Sequence, residues 1–439
     1  MFNSIENSHF DLAIIGAGPA GIMAAISAAK NWQQLQTETA GDKQVNKRKI
    51  KICLLEKNDR IGRKILLTGK GRCNLTNVHD LEEKIDLYGE GKQGRFLYPA
   101  FQTFTNFDLI DLVENLGLKT KIERGQRIFP VSNKALDVVD CLKQELIKQK
   151  VKIIYKFSVV KISQDQKIFR ILSATKKVIT AKKIMIATGG KSYPQTGSTG
   201  DGYQLAKSFG HSIVRPRPAL ASLFVRDEEI RSLAGLTLKN VSFAIYANGE
   251  KQMENFGEML FTHQGVTGPI VMKTSKYVYD LFGQKKEVIA AIDLKPALSE
   301  EVLSKRLERE IDKLYKKEFH TLLKELLPKA LIPLVIKQTE LDKRRKNSSL
   351  SKNEIRKIIK TLKRFEFKID GVAPIDFAIV TAGGINLKEI NPKTMESKLV
   401  NGLYFAGETI DLDGPTGGYN LQMAFSTGFL AGSKAVESI

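Results

Sequence analysis

Short apolar runs that end at glycine recur along the chain, and most of them lead into helix-like stretches. "DLAIIGAGPAGIMAAISAA" starts apolar over residues 12–15, turns at Gly16, Gly18 and Gly21, and continues as an alanine-rich helix. "KIKICLLEK" has the pattern of a second strand, with Glu56 at its end. "KKIMIATGGKSYPQTGSTGDGYQLAKSFG" carries a strand over 183–187 into Thr188, Gly189 and Gly190, then a turn at Gly197, Gly200 and Gly202, then a helix. "NGLYFAGET" is a last strand over 403–406 that stops at Gly407 and Glu408. A turn with Gly414, Gly417 and Gly418 then opens a helix over 419–430. Strand, glycine turn and helix in succession predict an α/β fold around a parallel sheet.

Between these ends the period changes. Residues 215–294 alternate in short segments, and Asn248-Gly249 is a hairpin signal between two strand-like runs. A small antiparallel barrel or sandwich is expected there. Thr267 is the expected N-cap of a helix after Gly268-Pro269, and Ser349 or Ser351 that of a later one. Helical periodicity dominates from about 296 to 364. The expected organisation is a first part over 1–210, a β-rich insert over 211–295, a helical region over 296–368 and a second part over 369–439.

Gly16, Gly18 and Gly21 fit G-x-G-x-x-G between a strand and a helix, the context that gives the pattern meaning. The first glycine allows the tight turn, the second lets backbone approach a pyrophosphate, and the third lets helix and strand pack closely. Glu56 is the acidic residue for a ribose, although it lies 35 residues beyond Gly21 (21 to 56) against about 20 in the usual motif. The polar stretch between, about 32–50, reads as a surface insertion. "RIGRKILLTGKGRCNLTN" then alternates glycines with Arg63, Lys64, Lys70 and Arg72, and adds Thr68, Asn74, Thr76 and Asn77, as a loop wrapping an anionic, flat ligand would. A second helix start, at Gly418, adds a positive dipole end. Placed beside an isoalloxazine ring it would stabilise charge at the pyrimidine edge, which favours FAD over NAD. No second glycine fingerprint occurs, so any NAD(P)H would bind transiently.

Composition alters this picture in two places. The formal charge is +21, which permits an RNA, membrane-surface or anionic-ligand partner. The most basic stretch, "LDKRRKNSSLSKNEIRKIIKTLKRFEF", has almost no interleaved aromatics for base stacking, so a solvated helical face is the favoured reading. Three cysteines at long spacings exclude a disulfide framework, a zinc knuckle and a paired dithiol loop. The first ten residues lack a signal-peptide pattern, and glycines interrupt the apolar stretch 12–29, so a cytoplasmic protein without a membrane span is expected.

The stretches "GAGPAG", "GRKILLTGKGRCNLTN", "FTHQGVTGP", "TAGGINLKEINPKTMESK" and "GLYFAGETIDLDGPTGGYNLQMAFSTGFLAG" together resemble the HI0933-like (YhiN/BaiN-like) family of bacterial FAD-dependent oxidoreductases, in order from about residue 10 to 435. The resemblance implies a Rossmann-like FAD-binding domain of glutathione-reductase type built from both chain ends, interrupted by a β-rich and helical insert. Carried onto this sequence, it places cofactor contacts at Gly16, Gly18, Pro19, Ala20 and Gly21, and at Glu56 and Lys57. Further contacts fall at Arg63, Lys64, Thr68, Gly69, Gly71, Arg72, Cys73, Asn74 and Thr76, then at Val159, Thr188, Gly189 and Gly190. The last group is Gly407, Glu408, Asp411, Gly417, Gly418, Tyr419, Asn420 and Leu421. It implies no single substrate, since members are linked to amine or amino-ketone oxidation and to steroid reduction. The insertion before Lys51 and the basic helical region depart from the pattern. His263 is the candidate proton donor or acceptor, set against a histidine that bonds its own turn. The expected function is hydride transfer between bound flavin and a small organic substrate or NAD(P)H. An RNA-modifying flavoprotein and a non-catalytic FAD-binding redox sensor are the alternatives.

Overall fold

The computed structural model describes residues 8–40, 49–437 and 439. Four strands, β1 (His9–Ile15), β2 (Ile52–Leu55), β3 (Lys152–Ile154) and β4 (Val178–Ile186), run parallel in the order β3-β2-β1-β4. A fifth, β5 (Leu403–Phe405), pairs parallel with the second half of β4, while Ile168–Ser173 pairs antiparallel with its first half. Every residue of β1 after His9 is buried, as expected for a strand covered on both faces. The register sets Leu55 and Ile186 opposite Ile15, Ile154 opposite Leu55 and Phe405 opposite Ile186. The carboxyl ends of all five strands therefore lie side by side, and the glycine turns leave from one edge.

Helices α1 (Pro19–Ala40) and α2 (Tyr419–Glu437) pack on each other. Their crossing is made of small residues. A Cβ on Gly428 would sit 2.2 Å from the Ala20 carbonyl oxygen, and one on Gly432 2.1 Å from that of Ala24. Ser27 donates to the Phe429 carbonyl and Asn31 to that of Ser433, which ties the same faces by hydrogen bonds. The expected surface insertion at 32–50 is corrected in part: α1 continues to Ala40, and residues 41–48 lie outside the described residues.

The chain divides into two compact units, 1–217 with 379–439, and 218–378. In the second, antiparallel strands follow the order Val288–Asp293, Thr237–Ala247, Glu250–Thr262, Gly265–Thr267, Leu223–Phe224. The segment 365–372 pairs by its first half with Val288–Asp293 and by its second half with Leu223–Phe224, at the opposite end of that order, and so closes the sheet into a barrel. The hairpin turn has positive φ at Asn248 and Gly249, 51° and 84°, as an Asn-Gly turn of type I′ requires. Thr267 is not the N-cap expected of it. Gly268 holds that position with φ 104°, and the Thr267 hydroxyl instead accepts from Ser222. Ser351 does cap the helix Lys352–Lys363, in a capping box with Glu354.

In the first unit His211 is buried against Phe405. Its Nδ1 meets Glu389 Oε2 at 3.1 Å and its Nε2 meets Ser397 Oγ at 2.9 Å. Burial pushes the His211 pKa down, against the opposing pull of Glu389. The unfolded chain then binds a proton that the folded chain refuses, so stability is complete above about pH 6.5 and falls as pH drops below it. Denaturation series between pH 7.5 and pH 5 (~2.5 units across the histidine range) should show this slope, and His211→Gln should flatten it. Gly428→Ala should destabilise the protein by about 1–3 kcal/mol or more, read by denaturant melting, because the Ala20 backbone has nowhere to move.

Candidate functional site

The strand ends deliver three glycine turns and two carboxylates, Glu56 and Glu408, to one edge of the sheet. Gly16 has φ 101°, and a Cβ there would lie 2.5 Å from the Ala187 carbonyl oxygen. A Cβ on Gly21 would lie 1.9 Å from the Gly16 carbonyl oxygen. Gly18 differs, with no protein atom within 4 Å of its would-be Cβ. Two of the three glycines are thus required by the fold, and the middle one faces open space where α1 begins. Glu56 is buried at the end of β2. Its Oε2 accepts from the Ala17 backbone N–H at 3.0 Å, and its Oε1 accepts from the backbone and amide N–H groups of Asn58. The Phe157 N–H donates to the Glu56 carbonyl, which brings the start of the strand Val159–Asp165 beside it.

The start of α2 rests on the loop that ends near Asn77. A Cβ on Gly418 would lie 2.6 Å from the Thr76 carbonyl carbon. The Asn74 amide, oriented to its neighbours, accepts from the Gly418 N–H at 3.0 Å and donates to the Thr76 carbonyl at 3.1 Å. Asn77 donates to the Gly417 carbonyl, and Thr76 donates to Gln422 Oε1. Asn420 folds back to both the N–H and the carbonyl of Gly414, and Tyr88 donates to the Tyr419 carbonyl. These bonds explain the dense glycine turn near the end of the chain. It brings a helix start down onto backbone, where side chains would collide.

Of the loop cations, Arg63, Lys64 and Arg72 are engaged by the protein itself. Lys64 Nζ contacts Glu408 Oε2 at 2.6 Å and Ser192 Oγ at 2.8 Å. Glu408 Oε1 accepts from Ser192 Oγ and from the Thr381 N–H. Lys57 pairs with Asp201, and Arg63 contacts Asn58 and Asp59. Arg72 makes two bonds to Glu123 and lies 4.2 Å from the centroid of the Phe129 ring. Cys73 is buried, and burial pushes its thiol pKa up to about 12, so it is inert as a thiolate. Thr68 donates to the Ile65 carbonyl and Asp411 accepts from Gln93, while Gly69 and Gly71 have φ 57° and 82°. Thr409 Oγ1 accepts from the Gly189 N–H, and a Cβ on Gly190 would lie 2.3 Å from Thr381 Oγ1. Leu421 is half-buried in the first turn of α2. His263 belongs to the second unit. It is exposed in the turn between Glu250–Thr262 and Gly265–Thr267, with its carbonyl accepting from Arg231 Nε.

The sequence reading did not find Ser192, Thr381 or Thr409. Each is a small hydroxyl whose partner lies far away in the chain, and no local pattern marks it.

Two helix starts at one sheet edge, backbone exposed at Gly18 and a carboxylate at the second strand end suit a dinucleotide whose pyrophosphate is met by N–H groups. The arrangement defines a Rossmann-type dinucleotide-binding flavoprotein. The chain belongs to the HI0933-like protein Rossmann domain family, which matches residues 10–434. It is 33% identical to the 3-dehydro-bile acid delta(4,6)-reductase of Clostridium scindens, over 97% of this chain and 99% of that one. It is 31% identical to the ribosomal RNA dihydrouridine synthase of Haemophilus influenzae, over 95% of this chain and 96% of that one. The Escherichia coli protein of the same name is equally similar, at 31%. Among solved structures it is similar to an E. coli quinol fumarate reductase FrdA mutant, with TM-score 0.49 and 16% identity, over 99% of this chain and 71% of that one. The protein is a FAD-dependent oxidoreductase.

Gly18→Ala should leave the stability of the apoprotein within about 0.5 kcal/mol while weakening FAD binding. Gly21→Ala should cost about 1–3 kcal/mol or more of stability. Melting of the apoprotein and a flavin fluorescence titration separate the two.

Proposed function

We propose that the protein reduces a carbon–carbon double bond conjugated to a carbonyl group. The observation that carries this is the pair of names among its full-length relatives. A 3-dehydro bile acid with Δ4,6 unsaturation and a uridine awaiting conversion to dihydrouridine are unlike molecules, yet both present an alkene conjugated to a carbonyl. When FAD is bound, the flavin would supply the hydride that such a reduction needs, with NAD(P)H as its transient source. The chain's own residues hold, orient and protonate.

The residues present fit this use. The N-terminus of α1, with Gly18 to Gly21, would meet the pyrophosphate. Glu56 would accept from ribose hydroxyls, with Lys57 and Val159 beside it. Residues 63–76 and the ordered Lys64–Glu408–Ser192 network would flank the ribityl and ring end, together with Thr188 to Gly190, Gly407 and Asp411. The N-terminus of α2 at residues 418–421 would favour negative charge on the flavin's pyrimidine edge. His263 is the proposed donor of the proton that the α-carbon needs. The protein is proposed to act in the cytoplasm; among the described residues no helix is long and apolar enough to cross a membrane.

A narrower reading is that the reacting ring is a uracil in ribosomal RNA. Two relatives carry that substrate in their names, and the charge of +21 favours a polyanionic carrier.

Anaerobic NADPH or NADH should bleach the flavin band of the purified protein. A 3-oxo-4-ene steroid or uridine-containing ribosomal RNA should restore it, and a saturated ketone should not. Reoxidation by neither conjugated acceptor would overturn the proposal. His263→Ala should slow the acceptor half-reaction by about 100-fold or more with FAD still bound; unchanged turnover would remove it from the mechanism.

A further inference from the structure

The basic region of the second unit has an aromatic partner that its linear sequence conceals. Residues 343–349 are pinned to the segment after the helix Glu300–Lys313. The Phe319 N–H donates to the Arg345 carbonyl at 2.7 Å, Asn347 N–H to that of Lys317 at 3.0 Å, and Ser348 N–H to that of Tyr315 at 3.2 Å. Tyr315 is 55% exposed, and these bonds hold its backbone against Ser348, in the loop that carries the exposed cations Lys343, Arg344 and Lys346.

The helix that follows, Lys352–Lys363, buries Ile358, Ile359 and Leu362 and turns Lys352, Arg356 and Lys360 to solvent. Their spacing of four residues aligns them on one face. This arrangement works against the helix. Like charges at that spacing repel, and Lys352 places a cation at the positive end of the helix dipole. Neighbouring cations are neutralised: Arg345 by Glu354, Lys357 by Glu340, Lys363 by Asp293 and Arg364 by Glu366. Among the described residues the three stripe cations have no carboxylate within 4 Å. Charge that costs local stability and is left uncompensated marks a place where the sequence answers to something other than folding.

We infer that this face binds single-stranded RNA, with phosphates on the stripe and loop cations and a base stacked on Tyr315. The inference rests on the ribosomal RNA reading above and deepens it. An exposed aromatic ring held against a loop of exposed cations suits unpaired nucleotides, because stacking accepts any base and cations track the strand. A lipid surface would use the cations and leave the ring without a role.

The test is fluorescence anisotropy of the full FAD-loaded chain with a short labelled oligouridylate across a salt series. Lys352→Gln/Arg356→Gln/Lys360→Gln together should weaken binding about tenfold or more and lower the log–log salt slope by about 2, at roughly 0.7 per phosphate contact. Tyr315→Ala should weaken it about tenfold, and Tyr315→Phe should not, since stacking survives. All four side chains are exposed, so flavin absorbance and melting serve as controls for folding. Variants that bind like the wild type, a wild type that does not bind, or Tyr315-independent binding matched by phosphatidylserine vesicles would each overturn the inference. Dihydrouridine formed on ribosomal RNA separates this face from the reading beneath it. Wild-type activity undiminished in the variants at limiting RNA sinks the face and leaves the reading standing. Variant-sensitive binding without dihydrouridine keeps the face and sinks the reading.

Discussion

The close crossing of α1 and α2 is the constraint on which the first unit depends. The two helices come from opposite ends of the chain, and they meet backbone to backbone because Gly428 and Gly432 have nothing to put between them and the carbonyls of Ala20 and Ala24. That approach carries the rest with it. Gly407, between β5 and α2, would clash with the Ala20 Cβ if it bore a side chain, and its N–H is received by Thr427 inside α2. Gly418 then sits on the Thr76 backbone. A larger residue at any of these points would lift one helix start away from the sheet edge. The site needs both starts, so the tolerance of the crossing is the tolerance of the site.

Much of this was legible because it is local. The glycine fingerprint, Glu56 at a strand end and the Asn-Gly hairpin each announce their backbone geometry within a few residues, and each lies where the pattern places it. What could not be read was decided by distant partners. Thr267 is a sound N-cap by composition, but Ser222 claims its hydroxyl and a glycine with positive φ takes the cap position. The stretch after Lys30 looks like a loop because it is polar and uncapped, yet α1 runs on through it to Ala40. Lys64 finds Glu408 across 344 residues. The aromatic missing from the basic stretch arrives from Tyr315, through backbone bonds that no window of sequence contains.

Charge is used in two different ways in this molecule. Around the glycine turns, Lys57, Lys64 and Arg72 each meet a carboxylate, so their fields largely cancel beyond a few ångströms. The helix starts act differently: their N–H dipoles are fixed by the fold and need no rearrangement to meet an anion. Such a site discriminates by shape, since dipoles act only within the first turn.

On the helix Lys352–Lys363 the logic is reversed. Hydrophobic burial of Ile358, Ile359 and Leu362, together with the Ser351–Glu354 capping box, stabilises a helix whose outer face repels itself. A capping box contributes about 1 kcal/mol, and each like-charge pair costs a few tenths. The element therefore tolerates the stripe comfortably. Uncompensated cations act over a Debye length, about 8 Å at physiological salt, and suit a long, flexible polyanion better than a ligand of fixed shape. A protein that had to grip a flavin tightly and a nucleic acid reversibly would separate the two tasks in this manner, with dipoles for the first and free charge for the second.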